Sequence, residues 1–171
     1  MCPDRKSPYV MGLRLLGRRE LSEAQLRARF ARRKFTSKET EDAVCQLRNE
    51  GFLDDRRTAR AFARSELSLR QRGRVRILNQ LENIGISKKI SIEAVAEVFS
   101  GINESVLLKN LLEKRLKQGS SLSDQASLRR LYRYLVTQGF EPSEVAELLS
   151  RRRSNHETPA IKNGDSDSLS D

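Results

Sequence analysis

Three apolar triplets with the same internal spacing constrain this chain more than any other feature. Leu26, Phe30 and Phe35 are answered by Ile77, Leu81 and Ile86, and again by Leu131, Leu135 and Phe140, each apolar at positions 0, +4 and +9. The first step places two side chains on one helix face; the second reaches past the end of that helix. In the last two copies a glycine, Gly85 or Gly139, directly precedes the final apolar residue, whereas the first copy has Lys34. Glycine there suits a left-handed helix cap, with the next side chain folding back on the helix. The copies recur about every fifty residues, and one helix is predicted before and one after each triplet. The chain is therefore expected to be all-α, with three tandem three-helix repeats over 1–54, 55–103 and 104–153. Stacked units of this kind form an elongated, curved body. Residues 154–171 hold Ser, Asn, Asp, Gly and a proline with few apolar residues, and are expected to be a disordered C-terminal tail.

Helix punctuation supports this division. Ser7-Pro8 is a cap followed by proline at the first helical position, leading to the stripe Val10, Leu13 and Leu16 before Gly17. Ser22 with Gln25 and Thr36 with Glu39 are capping boxes, the second opening a helix with Val44 and Leu47 that ends at Gly51. Asp54-Asp55 caps a helix whose apolar side holds Ala59, Phe62 and Leu69 and which Gly73 interrupts. Later helices are predicted over about 74–84, 88–99, 104–118, 123–138 and 142–152. No alternating apolar and polar run indicates a strand.

The residues that carry most chemistry are scarce. The only histidine, His156, lies in the expected tail, where it has no orienting partner for acid–base work and no companion for a metal site. Asp54-Asp55 reads as a cap rather than a catalytic carboxylate pair. No phosphate-binding glycine loop or nucleophile elbow occurs, so the chain is expected not to be an enzyme and to need no cofactor. Cys2 and Cys45 are the only cysteines, and Cys45 falls in a helical apolar pattern, as a small core residue would. No apolar run approaches a membrane span or signal segment, so an intracellular protein without a membrane role is expected.

Charge points to an anionic partner. The chain of 171 residues carries a formal +10, and acids balance bases from Arg151 onward, so the excess lies before it. Between Arg56 and Arg76 stand eight arginines and one acid, Glu66. Arg56, Arg60 and Arg64 stack at i, i+4 and i+8, each like-charge pair costing roughly 0.2–0.5 kcal/mol in an isolated helix. Arg56 and Arg57 sit in the first turn, where the helix dipole disfavours cations. The candidate contact residues are Arg56, Arg57, Arg60, Arg64, Arg70, Arg72, Arg74 and Arg76. With no Trp and the phenylalanines Phe30, Phe35, Phe52, Phe62, Phe99 and Phe140 at core positions, base stacking has little to work with. Contact with single- or double-stranded DNA would be arginine to phosphate, weak and sequence-independent. Tyr132 and Tyr134, beside Arg129, Arg130 and Arg133, are the aromatics that could reach the surface. A transcription-type DNA binder and a helical protein-interaction scaffold are the alternative readings, but charge spread over several helices suits an extended contact better than one recognition helix.

Leu53-Asp54-Asp55-Arg56-Arg57-Thr58-Ala59-Arg60-Ala61-Phe62 resembles the central signature of the RecX family of recombinase regulators. Arg72-Gly73-Arg74 to Leu81 and Ile84-Gly85-Ile86 continue the resemblance, which runs upstream to Arg19-Glu20-Leu21-Ser22 and downstream to Arg133-Tyr134-Leu135, Gly139-Phe140 and Val145. It spans about residues 8–150. It implies three tandem three-helix repeats in a cytoplasmic bacterial protein, here taken as a monomer, that lodges in the groove of the RecA–DNA filament. There such a protein restrains ATP hydrolysis and strand exchange and can promote disassembly; some members also bind DNA. Asp54, Asp55, Arg57, Phe62 and Gly73 match the family motif. Asp54, Phe62 and Gly73 are expected to serve as cap, core and turn, leaving contact to exposed arginines. Thr58, where the family more often has an apolar or aromatic residue, is expected to loosen the middle unit.

Overall fold

A computed structural model describes residues 7–120, 122 and 124–157, and among these it holds nine α-helices and no strand. They are α1 (Pro8–Leu16), α2 (Glu23–Arg32), α3 (Ser37–Asn49), α4 (Asp55–Arg70), α5 (Arg74–Asn83), α6 (Lys88–Val98), α7 (Glu104–Lys117), α8 (Gln125–Thr137) and α9 (Pro142–Glu157). Both capping boxes form, with Ser22 accepting from the Gln25 amide and Thr36 from that of Glu39. Asp54 caps α4 by accepting from the amides of Arg56 and Arg57.

The apolar triplets recur in structure. Lys34, Gly85 and Gly139 all adopt left-handed backbone, with φ of 59°, 83° and 96°. Behind each, the amide of Phe35, Ile86 or Phe140 donates back to the carbonyl of Phe30, Leu81 or Leu135. Three hydrophobic clusters result. One gathers Leu26, Phe30, Val44 and Leu47; the next Ala59, Ala63, Ile77, Leu81 and Phe99; the last Leu112, Leu131, Leu135 and Phe140. Each large side chain buried in this way stabilises its own cluster by about 1.5–3 kcal/mol.

Between clusters the contacts are polar, and equivalent atoms are used twice. The α2 N-terminus meets the N-terminus of α4, where the Glu23 amide donates to Asp55 Oδ1 at 2.9 Å. The α5 N-terminus meets the N-terminus of α7, where the Arg74 amide donates to Glu104 Oε1 at 3.1 Å. In each case the first residue of one helix supplies a carboxylate to the first amide of another, which suits both helix dipoles. The same N-termini also touch the end of another helix. The Ser22 hydroxyl donates to the Ile84 carbonyl, and the Gly73 amide donates to that of Gln138. A Cβ at Gly85 would overlap Ala24, and one at Gly73 would overlap the Gly139 carbonyl.

Several side chains lie elsewhere than expected. Cys45 is exposed, because Ala43, Val44 and Leu47 define the buried face of α3 and the next residue after Val44 turns away from it. Phe52 is 47% exposed, since Leu53 folds back on α3 and takes the buried place after Gly51. Phe30, Phe99 and Phe140 are fully buried, Phe35 and Phe62 partly so. Val10 faces outward because α1 packs through Gly12, where a Cβ would crowd Leu47. Leu69 is 79% exposed, as α4 buries Thr58, Ala59, Ala63 and Glu66 instead. Gly73 is not the residue that turns the chain. Gln71 takes the left-handed cap of α4 at φ 52°, while Gly73 keeps φ −74° and is needed for space. Helix α9 continues to Glu157, past the expected end near 152, and the remainder of the expected tail, 158–171, lies outside the described residues.

Candidate basic interface

Arg56, Arg60 and Arg64 project from one face of α4, as their spacing requires, and each finds a carboxylate on α6. Arg56 pairs with Glu93 at 2.5 Å, and Arg60 and Arg64 share Glu97, each at 3.4 Å. The three arginines and two glutamates form a ladder across the α4–α6 seam, made possible by Ala59 and Ala63, which let the helices approach. One positive charge is left in excess. Arg64 and Arg56 retain 67% and 57% of their side-chain exposure, so the guanidinium edges remain open to a partner. The cleft between Arg56, Arg60, Glu93 and Glu97 measures about 100 Å³, far too little for an organic cofactor.

The other candidates divide. Arg57 is architectural. It pairs with Glu20 at 2.8 Å and donates to the carbonyls of Gly51 and Phe52, tying α4 to the strip that precedes α2. Thr58 beside it is buried, its hydroxyl 3.2 Å from Glu20 Oε2 and 3.3 Å from the Leu21 carbonyl. The expectation that Thr58 loosens the middle unit is thus corrected, because a hydroxyl with acceptors on the neighbouring unit fastens it. Arg70 pairs with buried Glu66 at 2.9 Å and is itself 59% exposed. Arg72 approaches the same carboxylate at 3.9 Å and is 20% exposed; burial and nearby Arg76 pull its guanidinium below the ordinary value. Arg74 engages Glu104 and lies 4.8 Å over the Phe99 ring. Arg76 donates to the Thr137 carbonyl at 2.6 Å. Arg57, Arg74 and Arg76 therefore serve the joints and Arg72 stays with Glu66 at the end of α4, whereas Arg56, Arg60, Arg64 and Arg70 form the outer face.

What sequence reasoning missed is the set of countercharges Glu20, Glu93, Glu97 and Glu104. Only Glu93 and Glu97 carried a signal, since their i, i+4 spacing matches the arginine row. Asp55, read as part of a cap, instead crosses to the Glu23 amide, and burial raises its carboxyl above the ordinary value. Tyr132 and Tyr134 are both half-buried, and Arg115 stacks on the Tyr134 ring at 3.9 Å. Among the described residues no group of His, Cys, Asp and Glu could hold a metal ion, and no helix is long and apolar enough to cross a membrane.

Residues 104–149 match the family model described as "RecX, third three-helix domain". The chain is 30% identical over 150 residues to a protein of Syntrophotalea carbinolica named "Regulatory protein RecX", covering 87% of this chain and 98% of that one. A protein of the same name from Haemophilus influenzae strain Rd is 27% identical over 147 residues, covering 85% and 93%. The crystal structure of RecX from Lactobacillus salivarius shares the fold at a TM-score of 0.73 and 15% identity, over 91% of this chain and 99% of that one.

Proposed function

The chain belongs to the RecX family, and from that premise we propose that it regulates homologous recombination by binding the RecA–DNA filament and restraining its ATP hydrolysis and strand exchange. The observation that carries the proposal is the arginine ladder. Glu93 and Glu97 hold Arg56, Arg60 and Arg64 in place, so a partner meets guanidinium groups already ordered and loses less side-chain entropy on binding. Acidic protein and phosphate both suit such a face. The chain acts as a regulator rather than as an enzyme, in the bacterial cytoplasm where the filament forms. Its units divide at 54/55 and 103/104, each cut falling just before the helix whose first residue gives its carboxylate to a joint. A rigid basic body placed across a filament junction opposes the subunit rearrangements that turnover requires, and its preference for one filament state sets the direction of the effect.

The test is ATP hydrolysis by preformed RecA filaments on single-stranded DNA, titrated with this chain, with free-DNA binding measured at the same salt. Inhibition is expected below the level that occupies free DNA. Reversal of the row by Arg60→Glu with Arg64→Glu should weaken it while helix content stays unchanged. Inhibition that survives this double change at moderate salt would remove the ladder from the mechanism. Saturable DNA binding without any effect on the filament would favour the DNA-binding alternative.

A further inference from the structure

A second basic site lies in the third unit, where the end of α7 faces the start of α8. Arg115, Arg130, Ser120, Ser127 and Tyr134 line a pocket of about 310 Å³ there, together with buried Leu131. That volume is at the small end of the range for ligand sites. Among the described residues no carboxylate lines it. Arg115 stacks on the Tyr134 ring at 3.9 Å, and Arg130 donates to the Ser127 hydroxyl at 2.9 Å, so each guanidinium rests on a neutral group. Asp124, close enough to feel Arg130, is occupied as the α8 cap, accepting from the Ser127 amide at 2.7 Å. The last carbonyls of α7 are occupied too, those of Lys114, Arg115 and Leu116 by the amides of Gln118, Ser120 and Gly119. The negative end of that helix is thereby masked. The α4–α6 seam differs, because there Glu93 and Glu97 answer the arginines.

We propose that this pocket binds a phosphate monoester, carried by the 5′ end of a nucleic-acid strand or by a free nucleotide. Two guanidinium groups match the about 1.5–2 negative charges that such a group carries near neutral pH. Their planar forks also suit phosphate oxygens, which they can hold in pairs. The hydroxyls of Ser120 and Tyr134 supply further donors. An internal phosphodiester carries a single charge and would leave one cation unmatched. A base has little to stack on, because Arg115 already covers the Tyr134 ring. The repeat explains why the pocket is open. Ser127 stands four residues before its apolar triplet, as Ser22 and Gly73 do before theirs. Those two are covered by the following unit, through the carbonyls of Ile84 and Gln138. Among the described residues no further unit covers Ser127. A second copy of the chain would be a poor occupant, since its matching surface is the end of α2, where Arg32, Arg33 and Lys34 bring more cations.

The pocket's chemistry is independent of the recombinase reading, and its test uses the whole chain with neither the recombinase nor ATP. Two oligothymidylates of one length, fluorescent at the 3′ end, differ only in carrying a 5′-phosphate or a 5′-hydroxyl. At moderate salt the phosphorylated strand should bind about tenfold more tightly. Arg115→Gln with Arg130→Gln should erase that preference without loss of helix content. Arg130→Gln alone, at an exposed side chain, should remove most of it. Arg60→Glu with Arg64→Glu should weaken both strands and leave their ratio unchanged. Excess thymidine 5′-monophosphate tells the two sources apart. Loss of the preference would show that a nucleotide phosphate is enough, whereas its persistence would assign the pocket to a strand end. Equal binding of the two strands would overturn the proposal. So would a preference that survives the loss of both Arg115 and Arg130.

Discussion

At position 73 the missing side chain matters for space rather than for backbone angle, and at position 34 the reverse holds. Gly73→Ala forces a methyl group into the Gly139 carbonyl and should cost about 1–3 kcal/mol, as overpacking does. Lys34→Gly relieves a left-handed lysine and should gain about 1 kcal/mol. Opposite shifts of the urea midpoints of these two variants would check both statements; a neutral Gly73→Ala would deny the close approach. Charge at single residues has a pH signature. Burial opposes ionisation of Glu23, yet pairing with Arg27 and Arg48 more than offsets it and holds its carboxyl below the ordinary carboxylate pKa range. A depressed carboxyl contributes stability above its unfolded value and loses it as pH falls through the folded one, here below the ordinary carboxylate range. Glu23→Gln should therefore flatten the acid limb of a stability-versus-pH curve. Asp55, with its raised carboxyl, has the opposite sign: its ionisation takes stability away as pH rises through the ordinary carboxylate range. Asp55→Asn should remove that decline.

At the scale of elements, caps and repeats were legible in the sequence because they are local. Ser22 with Gln25, Thr36 with Glu39, and glycine before Ile86 and Phe140 each report on a few neighbouring residues. The arginine row was legible as a stripe but not as a surface, because its countercharges come from α6, with Arg56 and Glu93 37 residues apart. The same distance hid the bonds of Thr58 to Glu20 and Leu21. Cys45 and Phe52 were misplaced because apolar character alone does not tell which side of a helix or turn is filled first. The ladder itself makes a prediction. Exposed ion pairs of this kind contribute about 0–1 kcal/mol each, so Glu97→Gln should scarcely move the unfolding midpoint. It should free Arg60 and Arg64 from the acid that orders them, weakening binding to the filament and steepening its salt dependence. Unchanged or tighter binding after Glu97→Gln would mean that the glutamate does not pre-order the row for its partner.

In the whole molecule, three small cores are linked by polar joints, so a joint can be loosened without unfolding what it connects. Glu104→Ala removes the carboxylate from the Arg74 amide. Hydrogen exchange should then accelerate at the Gly73 and Val75 amides, which donate to Gln138 and Gly139. The amides of Leu81 and Leu135 should keep their protection; uniform acceleration would mean that the cores are not independent. The two joints engage equivalent residues, Ser22 and Gly73 on one side, Ile84 and Gln138 on the other. Each successive unit is therefore set on its neighbour by a similar step, and a duplicated unit could in principle be added by the same rule. Lys34 decides at which end. Gly85 and Gly139 leave bare backbone on which the start of another unit's middle helix can seat, whereas the corresponding seat on the first unit is filled by a lysine side chain. A further unit offered there would meet a long cation instead of a gap, so the array is directional, with one end shut to extension by its own sequence.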